Sequence, residues 1–180
     1  MSYVGCIKAM ADYCAHLRTP TVLEIGVDRG QTTLPLFHNL HALGRPFKYM
    51  AVDIRVDDDF AASLEQMHGY APGQSSADPM SLEPWADWNI GYVTMNSFDF
   101  LPLAVERGWK FDLVLIDGDH NYPTVKHELS FINQITYPTS LVICDDYSGK
   151  HSEVDTFYKD HPLHSDVTLH RDIVPTPGKA

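Results

Sequence analysis

Positive charge is scarce in this chain: 13 lysines and arginines stand against 24 aspartates and glutamates, a formal net charge of −11 over 180 residues. A phosphate backbone is held by basic surface, and log affinity scales with the cations supplied, so this balance disfavours a nucleic-acid partner. Cysteine is sparse too. Cys6, Cys14 and Cys144 form no ligand-spacing motif, and an odd count with Cys144 inside an apolar run reads as reduced thiols. No apolar stretch is long enough to cross a bilayer and no secretory leader stands out, so the expectation is a cytoplasmic protein with no membrane partner. Internal repeats, heptads and low-complexity tracts are missing. With 44% hydrophobic residues, a chain of 180 can build one substantial core but not two, so residues 1–180 are expected to form a single domain.

What the chain does contain is a strand, turn and helix signature in TVLEIGVDRGQTT, Thr21 to Thr33. Val22, Leu23 and Ile25 make a short apolar strand, Gly26 and Gly30 let the backbone pass close to a ligand, and Gln31 to Leu43 carries helical apolar spacing. A carboxylate roughly 20 residues past such a turn suits a ribose diol, and Asp53 closes the apolar run YMAVDI at that place. The turn departs from the G-x-G-x-x-G that cradles a pyrophosphate. It offers Glu24-x-Gly26-x-x-x-Gly30 with Asp28 inside it, and such an acidic turn repels a diphosphate and favours a cationic ligand. This spacing resembles motif I of the class I S-adenosylmethionine-dependent methyltransferases, whose cofactor carries a sulfonium and an ammonium.

Two later segments, FDLVLIDGDHNY (Phe111 to Tyr122) and LVICDDY (Leu141 to Tyr147), read as buried parallel strands that stop at acids. Ligands of open α/β sheets bind at that carboxyl edge, so Glu24, Asp53, Asp117, Asp119, Asp145 and Asp146 are expected to converge on one crevice. Carboxylates so gathered repel unless a cation or shared protons intervene, and an oxygen-rich cluster suits Mg²⁺ or Ca²⁺. The D-G-D-H-x-Y string followed by D-D-Y resembles the metal-dependent small-molecule O-methyltransferases of the TylF and macrocin O-methyltransferase type. That resemblance implies Mg²⁺ held by Asp117, Asp145 and Asp146, His120 as general base, and a small-molecule hydroxyl as acceptor. The chemistry is coherent: an alcohol is a poor nucleophile at neutral pH, a divalent ion lowers its pKa, and an imidazole can take the proton. On local grounds alone, His120 reads equally as a loop histidine, and Asp145 with Asp146 as an N-cap or Asx-turn pair.

The remaining pattern predicts helices over residues 3–18, 60–68, 98–107 and 124–135, strands over 48–54 and 90–95, a helix over 153–159 and a last strand over 167–170. Residues 69–88, rich in Gly, Pro and Ser, read as a long loop carrying Trp85 and Trp88. Asn96 and Ser97 fall where the resemblance places adenine contacts, with Asn96 at a position where many relatives carry an acid. Together these readings predict a Rossmann-like, doubly wound α/β fold with a mostly parallel sheet of the class I methyltransferase type and a shortened C-terminal edge. That edge is expected to be completed either by a stub at Ile173 and Val174 or by a second copy in a homodimer. The rival readings are a metal-independent N- or C-methyltransferase, a non-catalytic S-adenosylmethionine-binding protein, and an NAD-dependent oxidoreductase, the last disfavoured by the glycine spacing.

Overall fold

Strands β1 (Thr21–Ile25), β2 (Lys48–Asp53), β3 (Ile90–Thr94), β4 (Phe111–Ile116), β5 (Thr136–Cys144) and β6 (Thr168–His170) lie side by side in the order β3-β2-β1-β4-β5-β6. Every pairing among the described residues is parallel. The computed structural model describes residues 3–55, 57–65, 90–119, 121–144 and 168–170. Helices α1 (Tyr3–Ala15), α2 (Thr33–Ala42), α3 (Asp58–Glu65), α4 (Ser97–Glu106) and α5 (Tyr122–Ile135) complete the element order.

Parallel strands need crossovers, and the crossover helices cover both sheet faces, which is why the strands read as unbroken apolar runs instead of alternating ones. One layer packs Met10 and Cys14 of α1, Leu36, Phe37 and Leu40 of α2 and Phe60 of α3 onto Val22, Tyr49, Ala51, Leu113 and Leu115. The other packs Phe100, Leu101 and Ala104 of α4 and Leu129, Ile132 and Ile135 of α5 onto Leu23, Ile25, Met50, Val52 and Val114. The sheet is therefore doubly wound, as expected, around two apolar layers.

Most element boundaries shift by one to three residues from the sequence reading, but β5 departs further. The apolar pattern marked only Leu141 to Cys144, whereas the strand starts at Thr136, directly after α5. Thr136 itself ends the helix: its Oγ1 donates to the Ile132 carbonyl at 2.6 Å, satisfying an orphan C-terminal acceptor. The pairing is irregular between Phe111 and Leu113. Ser140 bridges the gap, its Oγ donating to the Phe111 carbonyl at 2.7 Å and accepting from the Tyr137 amide at 2.8 Å. Side-chain hydroxyls thus replace ladder bonds across a stretch containing Pro138, which has no amide to offer. The expected 69–88 loop with its tryptophans, the 153–159 helix and the stub at Ile173 and Val174 lie outside the described residues.

Candidate functional site

The carboxyl ends of β1, β2, β3 and β4 open onto a cavity of about 390 Å³. Its shape depends first on Gly26. At a φ of +86°, a Cβ on Gly26 would stand 2.2 Å from the Asp117 carbonyl oxygen and 2.5 Å from the Gly118 Cα, so only glycine lets the β4–α5 loop close onto the β1–α2 turn. The sheet hydrogen bonding continues past the strand ends, with the Asp117 amide donating to Ile25 and the Gly26 amide donating to Val52.

Asp53 holds the turn from the other side. Its Oδ2 accepts from the amides of Val27 at 2.7 Å and Asp28 at 3.0 Å, and its Oδ1 accepts from the Arg55 amide at 3.3 Å. These bonds stabilise Asp28 at a φ of +46°, a conformation that side chains seldom adopt. A carboxylate offers about four lone-pair sites, so Asp53 keeps capacity for a further donor in the cavity it lines.

Asn96 and Ser97 begin α4 at the cavity wall. The Asn96 Oδ1 caps the helix by accepting from the Phe98 amide at 2.9 Å, which leaves its amide NH₂ as a donor. Ser97 is buried, and its hydroxyl donates to Glu128 of α5. On the β4–α5 loop, Asp117 lines the cavity, while the exposed Asp119 accepts from the Asn121 amide at 3.3 Å and contacts the Asn121 Nδ2. Asn121 in turn caps α5 by accepting from the Thr124 amide at 3.0 Å. Asp119 therefore shapes the loop in front of α5.

Two sequence-predicted contacts stand elsewhere. Glu24 is 1% exposed and its side chain lies in the α1–α2 layer, where Oε2 accepts from Thr33 Oγ1 at 2.6 Å and from the Tyr49 hydroxyl at 2.5 Å. It does not line the cavity. Burial pushes its carboxyl up to about 7, and the same burial together with Glu24 pushes the Tyr49 hydroxyl well above its ordinary value. The strand period explains the placement: Leu23 and Ile25 face one layer, so Glu24 faces the other. Gly30 also does not line the cavity; at a φ of +72° its missing Cβ makes room for the Phe60 ring, 2.3 Å from where that atom would sit. Its role here is packing beneath the turn.

Among the described residues the cavity lining carries Asp28, Asp53, Asp117, Asp119 and Glu128 against a single guanidinium, Arg55. That Arg55 lies 3.9 Å from Asp28, both on exposed side chains. An anionic ligand would meet net repulsion here and a cationic one attraction. His120, Asp145 and Asp146 lie outside the described residues; no group of three candidate metal ligands gathers among those described.

Glu128 is the residue that the sequence reading missed. It is 1% exposed, lines the cavity, and its Oε2 has no hydrogen-bond partner among the described residues. Burial raises its carboxyl to about 7, the Ser97 bond lowers it and the neighbouring Asp119 raises it. The signal was an acid inside the apolar stripe Val125, Leu129, Ile132 at helical spacing.

A Rossmann-like sheet of this order with an acidic crevice at its carboxyl edge is the architecture of the class I methyltransferases. A family model described as a methyltransferase domain matches residues 23–147, more than half of the chain, and the chain belongs to that family. No curated protein matches it. Among solved structures, it is similar to the O-methyltransferase TomG from Streptomyces achromogenes in complex with SAM, at 18% identity and a TM-score of 0.52 over 92% of this chain and 63% of that one. It is also similar to CalS11, a TDP-rhamnose 3′-O-methyltransferase of calicheamicin biosynthesis, at 14% identity and a TM-score of 0.64 over 97% of this chain and 75% of that one. The methyltransferase MycE of the mycinamycin pathway, in complex with Mg and SAH, matches at 17% identity and a TM-score of 0.52 over 97% of this chain and 43% of that one. The chain thus spans under two thirds of the TomG and MycE chains. These likenesses establish the fold. Among the described residues no helix is long and apolar enough to cross a membrane.

Proposed function

We propose that this protein transfers a methyl group from S-adenosylmethionine to a hydroxyl of a small molecule with the help of a divalent cation such as Mg²⁺. The carrying observation is the crevice itself: among the described residues, five acids and one arginine at the carboxyl edge of a methyltransferase sheet suit a sulfonium nucleoside and not a dinucleotide phosphate. The names of TomG and CalS11, both O-methyltransferases, and the Mg and SAH held by MycE support the same class of chemistry.

When bound, the cofactor supplies an electrophilic methyl and the ion lowers the acceptor's pKa. This chain's part is to bind and orient. Asp53 accepts from the ribose hydroxyls with the capacity left after it has fixed the turn. The Asn96 amide and Ser97 meet the adenine edge, and the Gly26 turn faces the methionine portion. Asp117, Asp145 and Asp146 hold the ion, and His120 takes the acceptor's proton. A homodimer covering the C-terminal sheet edge belongs to the same proposal.

Titration calorimetry tests the cofactor. Wild type should bind S-adenosylmethionine, and Asp53→Ala should weaken binding by about tenfold or more, the scale of hydrogen bonds to a charged group. Equal binding by the variant would remove the ribose assignment. Turnover on an acceptor panel should vanish with a chelator and return with Mg²⁺; activity indifferent to chelation would remove the ion while leaving the cofactor in place.

A further inference from the structure

We propose that Glu128 selects the cofactor's base, accepting a hydrogen bond from the exocyclic amino group of adenine; this rests on the S-adenosylmethionine reading above. Leaving a buried carboxylate oxygen without a donor carries a desolvation penalty, so proteins keep such a group where something else supplies the hydrogen. Glu128 is 1% exposed, accepts from Ser97, and presents an Oε2 with no partner among the described residues to a cavity it lines.

The identity of the donor follows from what surrounds it. A S-adenosylmethionine molecule offers three donor sets: the ribose hydroxyls, the ammonium and the 6-amino group of the base. Asp53, at the end of β2, takes the first, and the β1–α2 turn is the place for the second. Glu128 sits at the other wall, beside Ser97 at the start of α4, and its Oε1 would lie 3.7 Å from a Cβ on Gly118. The exposed Ile54 and the side-chain-free Gly118 both line this cavity, an apolar side chain and an open stretch of backbone against which a purine can pack. Asn96 uses its Oδ1 on the Phe98 amide and presents an NH₂, which suits a ring nitrogen and not a second donor. The carboxylate of Glu128 supplies an acceptor for an amino group at position 6. It would repel the carbonyl that hypoxanthine carries at the same place.

The test is calorimetry with S-adenosylhomocysteine and S-inosylhomocysteine, which differ in the group at position 6 and in the hydrogen that hypoxanthine carries on N1; the Glu128 variant isolates the first. Wild type should bind the adenosyl compound at least about tenfold more tightly, as loss of a bond to a charged group predicts. Glu128→Gln, whose amide can donate to the 6-carbonyl, should shrink that ratio by about tenfold. A ratio taken within one variant does not depend on how stable that variant is. If wild type binds both compounds alike, or if Glu128→Gln keeps the wild-type ratio, Glu128 does not read the base. If wild type binds neither, the S-adenosylmethionine reading falls, and this inference with it.

Discussion

Gly26 and Gly30 look alike in the sequence, both in one turn and both with positive φ, yet they do different work. Gly26 makes room for backbone at the cavity, Gly30 for the buried Phe60 ring. Gly30→Ala should therefore lower stability by about 2–3 kcal/mol through overpacking and a strained φ. The protein that remains folded should bind S-adenosylmethionine as wild type does. Thermal melts beside calorimetry separate the two effects, and lost affinity at unchanged melting temperature would return Gly30 to the binding site. Glu24 yields a pH prediction. Its carboxyl is held at about 7 in the fold against an ordinary value of 4.5, so between those values the native state keeps a proton that the unfolded chain has lost. Stability from this group is thus greatest below 4.5, falls as pH rises through that window, and levels off above about 7. Glu24→Gln keeps an acceptor for Thr33 and Tyr49 without ionising. Its stability relative to wild type, read from denaturant melts, should rise across the window and then stay flat; a constant difference from pH 4.5 to 7 would show that Glu24 titrates normally.

Helix α4 is fixed at its start by Asn96, which both caps the helix and faces the cavity. Asn96→Ala should cost about 1 kcal/mol by leaving an orphan amide. Asn96→Asp keeps the cap oxygen and places a negative charge at a helix N-terminus, so it should melt within about 0.5 kcal/mol of wild type or above it. Equal damage from both would show that the amide nitrogen, and not the capping oxygen, matters. Helices and central strands were legible because their apolar periods are long and their breakers, Pro20, Gly44 and Gly108, sit at the ends. The first half of β5 was not. Tyr137, Pro138 and Thr139 are exposed, so no apolar run marks them, and what makes them a strand is a hydroxyl from Ser140 reaching across to β4. Glu128 was missed for the opposite reason: its place in the stripe of Val125, Leu129 and Ile132 puts it on the buried face, but a charged residue there is ordinarily assigned to solvent, and only the fold shows the cavity it lines.

The parallel sheet sends every strand's carboxyl end to one side, which is why Asp53, Asn96, Ser97 and Asp117, dispersed in sequence, line one cavity. Glu24 was assigned to that cavity because it too sits near a strand end, but strand alternation turns its side chain to the far layer. The acids of the crevice are part of a net charge of −11, so the field favours cations both at the site and at longer range. S-adenosylmethionine carries one net positive charge at neutral pH, and S-adenosylhomocysteine, a neutral thioether zwitterion, carries none. The two compounds share every hydrogen-bonding group, so a difference in their salt dependence isolates the charge term. Raising salt from ~0.1 M to ~1 M shortens the screening length from about 10 Å to about 3 Å, and the affinity for S-adenosylmethionine should fall more steeply than that for S-adenosylhomocysteine. Parallel salt slopes in calorimetry would mean that the crevice holds its ligand by shape and hydrogen bonds alone, and that its acids face the ion and the acceptor instead of the sulfonium.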